Sequence, residues 1–258
     1  VSSSGRSFIM ASVSSALTIL LEWLLIGFAD IVKLIRDGKR TTEQLEPLKT
    51  AVQAVINGKE FQVVFPEVSS SPALDDAAAQ LVAWQKLYQD QFGLTCDFSS
   101  LVIPKRRKGF GRLIVVAQGI TNEQVFQQCK KHFPCWKYTD RDLDVAVPTN
   151  DRTPKNGAYA IWVRDTVEAD VVHKNRSANY LKKQRISGIT LLERLLLELK
   201  YFLETGKHLD IQNWTLCSGS RRDGGGVPRV RWRGGGLRVA WCGPDGADDS
   251  LRTREVVS

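Results

Sequence analysis

Two short runs near the C-terminus carry the residues best placed to do chemistry. In the first, Arg229, Arg231 and Arg233 alternate with Val230 and Trp232; in the second, Arg238, Ala240 and Cys242 alternate with Leu237, Val239 and Trp241. Successive side chains of a strand point to opposite faces, so the apolar set can be buried while the mixed set faces outward. Large cations beside a methyl, a thiol and many glycines offer recognition rather than bond-making. A second basic run, Lys105, Arg106, Arg107 and Lys108 with Arg112 after a Gly-Phe-Gly segment, lies between two apolar segments. Such a loop can grip phosphates, or it can be a solvated turn. It lacks the strand, glycine spacing and helix start of a phosphate-binding fingerprint.

No set of residues assembles into a catalytic constellation. His132, His173 and His208 are far apart, and neither an HExxH nor a GxSxG motif occurs. Asp140, Asp142, Asp144 and Asp151 do not have the spacing of a calcium loop, and helix-start capping accounts for Asp165, Glu168 and Asp170. The five cysteines (Cys96, Cys129, Cys135, Cys217 and Cys242) are scattered without a CxxC pair, which indicates neither a disulfide framework nor a zinc site. Cys129, His132 and Cys135 straddle a helix end. The reading is therefore a non-enzymatic protein with no metal and no cofactor.

The composition of the tail is unusual. From Cys217 to Thr253 there is no Lys, Glu, Gln or Met, although all occur upstream. The outward residue types (Arg, Gly, Ala, Cys, Asp, Ser) are all reachable from one Asn codon, AAC, by replacing only its adenines; Lys, Glu, Gln, Met and Trp are not. Here the chain resembles the variable proteins of diversity-generating retroelements, in which a C-terminal C-type-lectin-like region is rewritten by adenine-specific mutagenesis during reverse transcription. The resemblance is carried by Gly188 to Asp210, "NWTLCSGSR" (Asn213 to Arg221), "VPRVRW" (Val227 to Trp232), "LRVAW" (Leu237 to Trp241) and "LRTREVVS" (Leu251 to Ser258). It covers roughly the last 100 residues and names no activity for the first 150.

That resemblance implies a hypervariable face at Arg222, Gly226, Arg229, Arg231, Arg233, Arg238, Ala240, Cys242, Gly243, Gly246, Asp248 and Ser250. It also implies a scaffold that includes Trp214, Leu216, Cys217, Arg221, Val227, Pro228, Val230, Trp232, Leu237, Val239, Trp241, Pro244, Leu251 and Arg252. The function implied is binding of a macromolecular ligand, by preference a protein. No face position is aromatic, which departs from the family's use of rigid rings and suits an acidic partner. The alternative is a nucleic-acid-binding protein that joins the Arg-rich hairpin to Lys105, Arg106, Arg107, Lys108 and Arg112.

The elements that must position these residues give an α+β fold with three parts. Residues 1–58 read as an N-terminal helical hairpin, 59–148 as a small α/β region and 149–258 as the C-type-lectin-like domain. In the middle, Phe61 to Phe65 and Leu113 to Ala117 read as strands, Ala73 to Phe92 as a helix, and Thr121 to His132 as a helix capped by Thr121. Further on, Gly157 to Asp165 reads as a strand, the stretch to Leu181 as a helix, and Thr190 to Glu204 as a strong helix with a Thr190/Glu193 capping box and a Gly206 stop.

With 258 residues, 43% of them hydrophobic, seven Trp and ten Phe, the chain can bury a substantial core. Its formal charge of +8 favours anionic partners. The apolar stretch from Ala11 to Ala29 is interrupted by Glu22 and followed by Asp30, which points to an amphipathic helix for oligomerisation, anchoring or packing rather than a membrane span. The start has no signal-peptide pattern, so a cytoplasmic location is favoured.

Overall fold

The computed structural model describes Asn57 and residues 73–258. The expected hairpin over 1–58, the strand Phe61 to Phe65 and any role of the N-terminal helices lie outside the described residues. The chain divides into Val1–Ser70 and Ser71–Ser258, and the second unit is described here. It is an α+β body. In chain order the elements are α1 (Ala73–Phe92), β1 (Arg112–Val116), α2 (Asn122–His132), β2 (Cys135–Lys137), α3 (Leu143–Ala146), β3 (Thr149–Asn150) and β4 (Tyr159–Val163). After a 3-10 turn at Val171–His173 come α4 (Ala178–Lys183), α5 (Leu191–Thr205), β5 (Trp214–Leu216), β6 (Ser220–Arg221), β7 (Val227–Trp232), β8 (Leu237–Cys242) and β9 (Leu251–Arg252).

The strands form a five-stranded sheet in the order β2-β8-β7-β5-β9 and two pairs, β1-β4 and β3-β6. This topology removes the expected boundary at residue 148. β1 pairs antiparallel with β4, and β2 pairs in parallel with β8, so residues 73–148 and 149–258 share sheets and one core. Three-residue β2 has no partner nearby in sequence and reaches β8 only through the tertiary fold.

Local chemistry accounts for the helices. On α1, Trp84 and Tyr88 are fully buried; Trp84 Nε1 donates to the Leu113 carbonyl at 2.9 Å and the Tyr88 hydroxyl to that of Val115 at 2.8 Å. These bonds tie the helix to β1 and satisfy polar atoms that would otherwise cost free energy on burial. Thr121 caps α2 in a box closed by Gln124, and Thr190 caps α5 with Glu193, while Gly206 ends α5 at φ 68°. The helix expected up to Leu181 is shorter: Asn175 takes a left-handed φ of 58°, and only Ser177 at the next N-cap starts α4.

The first ten residues of α5, Leu191 to Lys200, are all buried, and the charges among them are held in the interior. Glu193, Arg194 and Glu198 are each 0% exposed. Arg194 pairs with Glu198 and with Asp210, both at 2.8 Å, and Arg254 pairs with Asp210 at 2.8 Å while donating to the carbonyls of Thr166 and Val167. Burial alone would raise the Asp210 pKa, but the Arg254 and Arg194 charges hold it below its ordinary value. The Asp210 carbonyl also accepts from the Trp232 amide, so the ion network grips the end of β7.

Candidate interaction face

β7 and β8 form a hairpin closed by Gly234 and Gly235, whose φ values of 61° and 75° fit a two-residue type I′ turn; the Arg233 amide donates to the Gly236 carbonyl at 3.0 Å. This tight turn fixes the register. Val227 faces Cys242, Arg229 faces Ala240 and Arg231 faces Arg238, while Pro228 faces Trp241, Val230 faces Val239 and Trp232 faces Leu237. Paired residues share a face, so the cations lie on one side and the apolar set on the other.

The inner side has the expected character. Val230, Leu237 and Val239 are fully buried. Trp232 and Trp241 are half-buried. The Trp232 ring stacks on His208 with centroids 3.3 Å apart and meets Phe133 edge-on, and His208 Nδ1 lies 2.9 Å from Glu198.

The outer side is wider than the hairpin. The neighbouring strands add Trp136, opposite Arg238 on β2, and Leu216, opposite Arg229 on β5, with Trp214 two residues before it. The guanidiniums rest on these rings: Arg238 lies 4.7 Å from the Trp136 centroid, and Arg229 and Arg231 lie 4.5 and 5.3 Å from that of Trp214. Arg222 lies over Trp241, a ring of the opposite side of the hairpin, at 4.4 Å. A Cβ added at Gly236 would run into the Trp136 ring, so that ring packs directly against the start of β8.

The same face is covered at its other end. Val227, Leu216 and Leu251 pack with Ala178 and Leu181 of α4 in a second small core, with Cys242 and Trp214 against it. Burial pushes the Cys242 thiol pKa up. Ala240, expected to face outward into solvent, is only 8% exposed. Its methyl is too short to emerge between Arg238, Cys242 and the facing Arg229. The outward set thus divides into an open arginine end and a covered Cys242 end.

The other expected positions lie in the flanking loops. Arg222 and Gly226 close the turn before β7 through an amide-to-carbonyl bond of 2.8 Å. In the loop after β8, Gly246 donates to the Gly243 carbonyl, and the Asp248 carboxylate accepts from the Ser250 amide and hydroxyl. Asn179 ties this loop to α4 by bonds to the Pro244 carbonyl and to Asp245.

Electrostatics set the open end apart. Among the described residues, no carboxylate lies within ion-pair distance of Arg229, Arg231, Arg233 or Arg238, whereas Arg112, Arg152, Arg164, Arg194 and Arg254 are all paired. Nε of Arg229 and of Arg231 is buried without a hydrogen-bond partner. Arg231 donates to the Ile211 carbonyl at 3.0 Å, and Arg238 Nε to that of Arg233 at 3.0 Å. Burial and the neighbouring Arg233 charge lower the Arg231 pKa, with Arg229 adding to the effect.

The second basic run is occupied differently. Arg107 pairs with Glu255 and lies over Phe110, Arg112 pairs with Asp165 and Glu204, and Arg106 lies over Trp162. Lys105 lines a cleft of about 1230 Å³ between the segment after α1 and β4, where Arg152 is held by Glu193. The partners of Arg107 and Arg112 lie just after β4, on α5 and just after β9, and none is on the hairpin. Asp170, His173 and Glu255 converge within 4.8 Å, as ligands of a cation would. Arg164 bridges the two carboxylates and Arg107 adds a second cation, so the charges are already balanced. Burial opposes ionisation of Glu255, but bonds from Arg107, His173 and Arg164 outweigh it and hold its pKa at about 2.

Sequence reasoning missed Trp136 as part of the face and placed Trp214 only in the scaffold. The three residues of β2, Cys135–Lys137, show no alternation and are too few to reveal a strand. Comparison of the chain with family models, with curated proteins and with solved structures finds no match.

Proposed function

We propose that this chain is a non-enzymatic binding protein whose C-terminal part is a C-type-lectin-like module displaying a face diversified by adenine-specific retroelement mutagenesis. The observation that carries the reading is the segregation of residue types across one hairpin. Arg229, Arg231 and Arg238, of a type reachable by adenine replacement, share the outer side, and Val230, Leu237 and Val239 fill the inner side at 0% exposure. A mutator blind to structure can rewrite such an outer side without opening the core, which matters when net stability is only about 5–15 kcal/mol. The order of β4, two helices and a terminal group of short strands supports the lectin-like arrangement. Binding then works by presentation: a rigid sheet holds the changeable side chains, so few degrees of freedom are lost when a ligand docks.

The test needs the DNA neighbourhood of the gene. A near-copy of the segment encoding roughly Cys217 to Ser258 is expected beside a reverse-transcriptase gene, the copies differing almost only where the template has adenine. The differences should fall on Arg229, Arg231, Arg233 and Arg238 and spare Val230, Trp232, Val239 and Trp241. A complete genome with neither repeat nor polymerase would overturn the diversification mechanism.

A further inference from the structure

We propose that the open end of this face takes an acidic protein surface, its carboxylates docking on Arg229, Arg231 and Arg238; the inference rests on reading the face as a binding surface. Three observations carry it. First, no carboxylate among the described residues lies within ion-pair distance of these cations while the interior arginines are paired, so the fold leaves guanidiniums here that a partner can engage. Second, the guanidiniums lie on Trp136 and Trp214 and have lost much of their freedom, with Nε of Arg229 and Arg231 already shut away from water. Their remaining N–H edges form planar forks that match carboxylates two oxygens at a time. Third, strand geometry sets the Cα atoms of these arginines roughly 7 Å apart along β7 and about 5 Å apart between β7 and β8, and the side chains lean to the two flanks, Arg229 and Arg231 over Trp214 on β5 and Arg238 over Trp136 on β2. That spacing suits acidic side chains on a folded or extended partner.

Two features favour a protein over a nucleic acid. Base stacking needs a free ring face, and guanidiniums already lie over the half-buried Trp214 and over one side of Trp136, which stays 43% exposed. A phosphate backbone needs a continuing cationic track, whereas the loop after β8 carries Asp245, Asp248 and Asp249, and Asp223 sits in the turn before β7. These acids bound the track at the Cys242 end of the hairpin.

The experiment uses the full chain and a fluorescein-labelled oligoglutamate of about 20 residues as probe, read by anisotropy near 150 mM salt, where long-range attraction is screened within about 8 Å. The wild type is expected to bind with Kd in the micromolar range, as about −8 kcal/mol would give. Arg229→Ser/Arg231→Ser/Arg238→Ser should weaken binding at least about tenfold. The charge-conserving Arg229→Lys/Arg231→Lys/Arg238→Lys should weaken it about threefold or more, because a lysine cannot offer the fork. Removing as much charge elsewhere, at the exposed Lys86, Lys108 and Lys155, should change it less than about twofold. Equal binding by the triple-Lys variant, or an equal loss from the distant lysines, would show mere charge attraction and overturn the proposal. Tighter binding of oligothymidylate of the same charge would overturn it in favour of nucleic acid. The display reading fails separately: a repeat-and-polymerase locus with no oligoglutamate binding sinks only the acidic chemistry, and binding without such a locus sinks only diversification.

Discussion

Leu237→Ala and Arg238→Ser change neighbouring residues of one strand, and the structure assigns them very different costs. Leu237 is 0% exposed and faces Trp232 in the main core. Truncating a fully buried leucine costs about 2–5 kcal/mol, according to how far the surroundings collapse. At about 2–4 °C per kcal/mol for a domain of this size, the melting temperature should fall by roughly 4–20 °C. Arg238→Ser removes a contact with Trp136 worth about 0.5–1 kcal/mol at an exposed site. It also relieves repulsion from Arg231 directly opposite, worth a few tenths to about 1 kcal/mol. The net change should stay within about 1 kcal/mol of zero. Urea titrations followed by tryptophan fluorescence would give the midpoint and slope for each variant. Comparable midpoint losses in both would show that the two faces are wrongly assigned; a changed slope would mean that the substitution acts on the unfolded chain.

Asp210→Asn should cost about 3–5 kcal/mol in the same assay, because it strips the shared carboxylate from two buried guanidiniums, those of Arg194 and Arg254; a loss under about 1 kcal/mol would mean that the network is solvated. Acid should also destabilise the fold. Glu255, held at about 2 against an ordinary 4.5, and Asp210, below its ordinary 3.8, have folded-state pKa values under their unfolded ones, so their contribution is complete above about pH 5 and disappears as pH falls towards 2. The urea midpoint should fall over that window, less steeply in Glu255→Gln, and a midpoint that stays level between pH 5 and 3 would refute the assignment.

Much of this architecture was legible because it is written locally. The Thr190/Glu193 box and the Gly206 stop mark α5 through hydrogen bonds spanning a single turn. The alternation in Leu237–Cys242 marks β8 because its period matches the strand. What escaped is non-local. Trp136 joins the face only because β2, more than a hundred residues upstream, pairs with β8, and no local pattern encodes that pairing. Arg194 and Glu198 look like the solvated side of an amphipathic helix until Asp210 arrives to pair with Arg194 and Arg254, from further along the chain, pairs with Asp210. The covered end of the face was equally invisible, since α4 and β7 meet although α4 ends at Lys183 and β7 begins only at Val227.

The parallel pairing of β5 with β9, Trp214 beside Leu251 and Thr215 beside Arg252, makes the intervening stretch a cassette. Its entrance and exit sit side by side on adjacent strands, and Arg254 pins both by touching Asp210 and Thr215. A chain whose ends are already joined loses little when its contour changes: doubling the length of such a loop costs only about 0.6 kcal/mol in closure entropy. The stretch from Cys217 to Ser250 can therefore gain or lose residues in its turns, as well as exchange them, while the frame around it stays shut. The same clasp makes the body a natural host for grafted loops.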